Sequence, residues 1–216
     1  MSEAMIYEFI HATWQTLYMV GISGGLSVLF GLPLGIALIV TRKGHLLSRP
    51  LLNLSLAAIV NATRSIPFII LLVAIIPVTR FIVGTSIGTT AAIVPLTLGA
   101  IPFVARIVEN ALEEVPHGLI EAGLAMGATP SQLIQKILIP EALPGIINGI
   151  TVTLVTLVSY SAMAGAVGGG GLGDLAIRYG YQRFDMNVML ITIVILIIIV
   201  QLMQMIGDRL SKALNH

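Results

Sequence analysis

The residues able to do chemistry are few and far apart. Histidines stand at His11, His45, His117 and His216, with no His-Glu-x-x-His spacing to hold a metal, and there is no cysteine to serve as nucleophile, disulfide partner or thiolate ligand. Glu109, Glu113, Glu114, Glu121 and Glu141 have no nucleophile beside them in the sequence. The one glycine cluster, Gly168-Gly169-Gly170-Gly171, runs into Leu172-Gly173-Asp174 and lacks the Lys-Ser/Thr ending of a nucleotide-binding loop. No catalytic residue, metal or cofactor is therefore expected on this chain. A formal net charge of +1 supplies no basic field for nucleic acid.

The elements that carry these residues are membrane helices. Of 216 residues, 56% are hydrophobic and only 10% charged, and the mean hydropathy of +1.00 lies far from that of soluble domains. A helix needs about 20 apolar residues to cross the bilayer core. Charge-free runs of that length predict an all-α, polytopic bundle of five transmembrane helices in a single domain, with spans near 14–40, 52–79, 88–107, 143–167 and 186–207. Pro67 should bend the second span, Pro95 and Pro102 should interrupt the third, and the glycine run should stop the fourth. The first span does not read as a cleavable signal peptide, since Glu3 and Glu8 precede it and its apolar run is too long. Seven basic residues, Arg42, Lys43, Arg49, Arg106, Lys136, Arg209 and Lys212, fall on one side of this topology, against Arg80, Arg178 and Arg183 on the other. By the positive-inside rule the N-terminus is outside and the C-terminus cytoplasmic.

The long cytoplasmic loop at 109–141 is too rich in helix formers to be a tether. Pro116 suits a helix start, and the segment from Glu121 to Met126 reads as a short helix ended by Gly127. Thr129, Pro130 and Gln132 have the spacing of a capping box for a second helix, expected to run to about Leu138 and stop before Pro140. A hairpin of this kind with a small-residue face suits docking into a groove on another protein. A membrane-surface connector without a partner is the alternative.

Glu121-Ala122-Gly123, then three residues, Gly127, nine residues and Ile137-Leu138-Ile139-Pro140 resembles the EAA loop of type I ATP-binding-cassette importer permeases. Gly123 and Ile139 depart from the usual Ala and Leu. Arg64-Ser65-Ile66-Pro67 and Gly169-Gly170-Gly171-Leu172-Gly173 extend the resemblance over the chain, which within the superfamily is most similar to the methionine-uptake permeases. The resemblance implies a homodimeric pore subunit in a bacterial inner membrane. It also implies two cytoplasmic ATPase subunits carrying ATP and Mg, an external substrate-binding lipoprotein, and coupling to the ATPase through Glu121, Ala122, Gly123, Ala125, Met126, Gly127, Ala128, Ile137 and Pro140. A permease for another small solute, a secondary transporter and a channel subunit are the competing classes. The spans as drawn hold no acidic residue for a proton or sodium relay, which argues against a secondary transporter.

Four residues are candidates for the path or its gate: Tyr160, Ser161, Met163 and Arg64. Arg64 costs at least about 2.5 kcal/mol at the bilayer centre, so it should snorkel to the inner interface or face the bundle. Met163 is either an apolar gate near a dimer axis or a packing residue. Gly169, Gly170, Gly171 and Gly173 form an outer loop, read either as flexible or as a hinge or contact at the pore mouth. A path so poor in charge is expected to hold its substrate loosely.

Overall fold

The computed structural model describes residues 3–214, so His216 lies outside the described residues. The described chain is all helical: α1 (Glu3–Thr41), α2 (Pro50–Arg64), α3 (Phe68–Ala74), α4 (Ile76–Val83), α5 (Thr89–Glu113), α6 (His117–Ala125), α7 (Pro130–Leu133), α8 (Ile139–Ala164), α9 (Gly171–Leu175) and α10 (Met186–Leu214). π-Helical turns at Ile134–Leu138 and Ala176–Tyr181 extend two of these, and the chain kinks at Val167 and Gly168, which leave helical geometry within Gly165–Gly169. Four segments are long and apolar enough to cross a bilayer: α1, α5, the continuous stretch from Pro130 to Gly169, and α10. The α2–α3 pair, bent by 100°, counts as a broken fifth.

The second span is thus not one bent helix but three short ones. Pro67 has no N–H and disfavours helical geometry at Ile66, so α2 ends at Arg64 and the chain re-enters a helix at Phe68 in a new direction. Pro77, in the first turn of α4, sits where a missing N–H costs nothing.

Two expected interruptions are absent. α5 runs unbroken through Pro95 and Pro102, both buried. Its packing against α1 fixes its course. A Cβ at Gly31 would lie 2.7 Å from Val104 Cβ, and one at Gly35 would lie 2.5 Å from the Ala105 carbonyl oxygen. Only this pair of glycines, four residues apart, lets the two backbones approach so closely, and the contact outweighs the hydrogen bonds the prolines forgo. Nor does Pro140 stop the helix after Pro130. The π-turn at Ile134–Leu138 places Pro140 in the first turn of α8, and the helix continues.

The core lies where α1, α5 and α8 meet, around Met19, Val20, Leu96, Leu157 and Leu172. A second apolar cluster, with Val104, Val108, Leu112 and Ile146, fills the end of the bundle that leads to α6. Arg42 at the end of α1 makes an ion pair with Glu113 at the end of α5. Of the acidic residues on the spanning helices, one is buried among the described residues. α5 continues past the expected boundary at 107, and Glu109, buried, pairs with Arg106 one turn earlier. Arg106 also donates to Asn61 Oδ1 at 2.9 Å, so this carboxylate is neutralised in place.

Candidate functional site

The loop between α5 and α8 folds as a helical hairpin at one end of the bundle. α6 starts after Pro116 and ends in a Schellman motif: Ala128 N–H donates to the Gly123 carbonyl at 3.0 Å, and Gly127 N–H to that of Leu124 at 2.9 Å. Gly127 closes the motif with φ +78°, a left-handed conformation costly for residues with a Cβ. Two residues on, Thr129 N–H donates to Gln132 Oε1 at 2.9 Å and Gln132 N–H to Thr129 Oγ1 at 3.4 Å, a reciprocal capping box.

Gly123 is buried against the second arm. A Cβ there would lie 2.5 Å from Leu133 Cδ2 and 2.8 Å from Ile137 Cδ1, so its departure from the usual Ala is matched by local packing. Glu121, Ala122, Ala125, Met126 and Gly127 are exposed, Ala128 and Ile137 are half-buried, and Pro140 is exposed. Met126, at 81% exposure, and Leu124, at 51%, leave an apolar patch on a tightly capped hairpin. Such a patch suits a protein partner. Behind it, a cavity of about 450 Å³ separates the hairpin from the end of α1 and is lined by His45, Glu113, His117 and Glu121 among others.

At the other end of the bundle the glycine run is a packed turn, not a loose loop. Gly168, Gly170 and Gly171 have φ of +89°, +78° and +79°. Gly169, Gly171 and Gly173 are buried and Gly170 half-buried. Gln15 Oε1 accepts from Gly171 N–H at 2.8 Å, and Thr16 Oγ1 from Leu172 N–H at 2.9 Å. Gly168 in turn accepts from Gly88 N–H at the start of α5, at 2.9 Å. Just beyond, Arg178 Nε donates to Asp174 Oδ2 at 2.8 Å, and this bond holds the guanidinium pKa above its ordinary value.

The four path candidates do not converge. Ser161 is buried and its hydroxyl donates to the Val158 carbonyl at 2.7 Å. Met163, 46% exposed, opens on a wide groove between α8 and α10 with Ala162, Ala166, Leu196 and Val200. Tyr160 stacks on Phe68, with ring centroids 4.3 Å apart and planes 3° from parallel. Arg64 lies over the Phe103 ring at 5.8 Å and shares with Tyr160 a separate cavity of about 180 Å³. Arg64 is exposed, and Phe103 stands two residues past the midpoint of α5.

A bundle of apolar, partly broken helices with a capped hairpin at one end defines a multi-pass membrane transport subunit. The chain belongs to the family of binding-protein-dependent transport system inner membrane components, whose pattern it matches over residues 27–216. It is 63% identical over 205 residues to the probable D-methionine transport system permease protein MetI of Vibrio cholerae, covering 95% of this chain and 91% of that protein. The protein of the same description from Pasteurella multocida is 51% identical over 212 residues, 98% of each chain. A solved structure described as an inward-facing conformation of the MetNI methionine ABC transporter superposes with a TM-score of 0.98, at 55% identity over the whole of both chains.

Gln15, Thr16 and the Gly31–Gly35 pair are structurally decisive and were not among the candidates. A Gly-x-x-x-Gly spacing inside an apolar run signals close helix packing. The partners of Gln15 and Thr16 carry no such local signal.

Proposed function

We propose that this chain is the pore subunit of an importer for methionine. Two copies form the translocation path, and each docks one cytoplasmic ATPase subunit, which binds ATP and Mg and performs the hydrolysis. An external substrate-binding lipoprotein delivers the amino acid. The N-terminus lies outside and the C-terminus in the cytoplasm, as the seven-to-three bias of basic residues supports.

The observation that carries this reading is the coincidence of full-length likeness to the MetNI structure with the α6–α7 hairpin. Motion of a partner bound at Leu124 and Met126 passes through Gly123, Leu133 and Ile137 into the helix that continues as α8. The turn between the two arms is capped on both sides, by the Schellman motif and the capping box, so it transmits displacement instead of absorbing it. The test is reconstitution of the complex in vesicles with its binding protein and ATP, with uptake of D- and L-methionine measured separately. ATP-dependent accumulation of methionine is expected. A chain that purifies without an ATPase, or a complex that takes up neither isomer, overturns the proposal.

A further inference from the structure

Arg64 is an exposed cation beside the middle of α5, with no anion paired to it among the described residues. α5 has 25 residues and is roughly 37 Å long, with its centre at residue 101. Gly99 and Phe103, which flank that centre, both line the cavity that holds Arg64. Among the described residues Arg64 makes no ion pair and its guanidinium no hydrogen bond. Arg106 is the internal contrast, since Glu109 and Asn61 take its Nη1 and Nη2 donors, although its buried Nε has no partner. Arginine inside a membrane segment faces the bundle interior or a water-filled cavity and marks a substrate path when nothing else accounts for it.

The surroundings of Arg64 fit one ligand chemistry. The cavity is lined by Thr63, Phe68, Leu71, Phe103 and Tyr160, and the Thr63 hydroxyl is already spent on the Ile59 carbonyl at 2.9 Å. A volume of about 180 Å³ equals that of roughly six water molecules, enough for the charged end of an amino acid. The planar guanidinium pairs bidentately with a carboxylate, and an aromatic wall beside it suits the rest of an amino acid.

We propose that Arg64 binds the carboxylate of the transported amino acid in this cavity between α2, α3, α5 and α8. The inference rests on the reading of the chain as an amino-acid permease. It replaces the expectation of a path without a binding well: each chain carries one shallow, charged station.

Because the chain has no cysteine, Thr63→Cys places a single thiol on the cavity wall. The purified complex with its ATPase subunits, free of binding protein, is labelled with a small methanethiosulfonate in the presence of methionine or methioninamide. Methionine should slow labelling and methioninamide, which lacks the carboxylate, should not. Adding Arg64→Gln should raise the half-protecting methionine concentration about tenfold, and Arg64→Lys should restore much of the protection. Equal protection by acid and amide, or unchanged protection in Arg64→Gln, overturns the proposal. The acid-to-amide comparison leaves Arg64 intact and so decides the matter even if the Gln variant fails to assemble. A complex that takes up methionine in vesicles but shows no protection refutes the Arg64 site alone. A complex that transports no amino acid refutes the functional reading and this site with it.

Discussion

Gly127 offers the sharpest test of how the hairpin works, because its role reduces to one dihedral angle. Its φ of +78° lies in the left-handed region, and a Cβ built there meets nothing within 4 Å. Substitution therefore adds backbone strain without a steric clash, so the series Asn, Ala, Val scales one variable. Left-handed geometry costs an ordinary L-residue about 1–2 kcal/mol, is tolerated best by Asn, and is worst for a β-branched side chain. If the hairpin must keep its Schellman turn to hold a partner, Gly127→Val should weaken association with the ATPase by roughly 5- to 30-fold, the equivalent of that strain. Gly127→Asn should be close to wild type and Gly127→Ala intermediate. The assay is retention of the ATPase by the affinity-purified permease across a salt series, with uptake measured in parallel and membrane insertion as control. Val, Ala and Asn variants that bind and transport alike would refute the claim that this turn must be preserved for coupling.

A reporter active only in the cytoplasm should work when fused after His216 and fail at the N-terminus, and the opposite pattern would invert the topology. Gly35→Ala sets a Cβ 2.5 Å from the Ala105 carbonyl oxygen, which is backbone and cannot swing aside, so the α1–α5 contact should open at a cost of about 1–3 kcal/mol. A thermal unfolding midpoint in detergent unchanged from wild type would show that contact to be dispensable. Met163→Cys in this cysteine-free chain should cross-link between two copies under oxidant if the groove between α8 and α10 faces the dimer axis. Failure in every nucleotide state would reassign Met163 to packing.

What could be read from the sequence was whatever depends on neighbours a few residues apart. The capping box at Thr129 and Gln132 closes within one turn, and the helical class follows from apolar runs alone. The prolines show where local reasoning ends. Pro67 breaks its helix, whereas Pro95 and Pro102 do not, because α1 packs along α5 through Gly31 and Gly35 and no comparable partner straightens the chain at Pro67. Arg64 shows the same limit. Its cost in a membrane was plain from composition, but only the packing of α2 along α5 brings it over Phe103, far along the sequence. The glycine run suggested slack, yet long-range bonds from α1 make it one of the more constrained turns in the chain.

Those bonds have a bearing on how the protein is made. Gln15 and Thr16 enter the membrane with the first helix, while the amides that engage them lie 156 residues downstream. At a synthesis rate of about 5–20 residues per second, α1 waits roughly 10–30 s for these partners. Until then its two polar side chains must be served by lipid headgroups, water or the insertion machinery. The first segment to be inserted is thus among the last to be locked, and a nascent chain stalled before Gly171 presents an α1 with its polar notch still open.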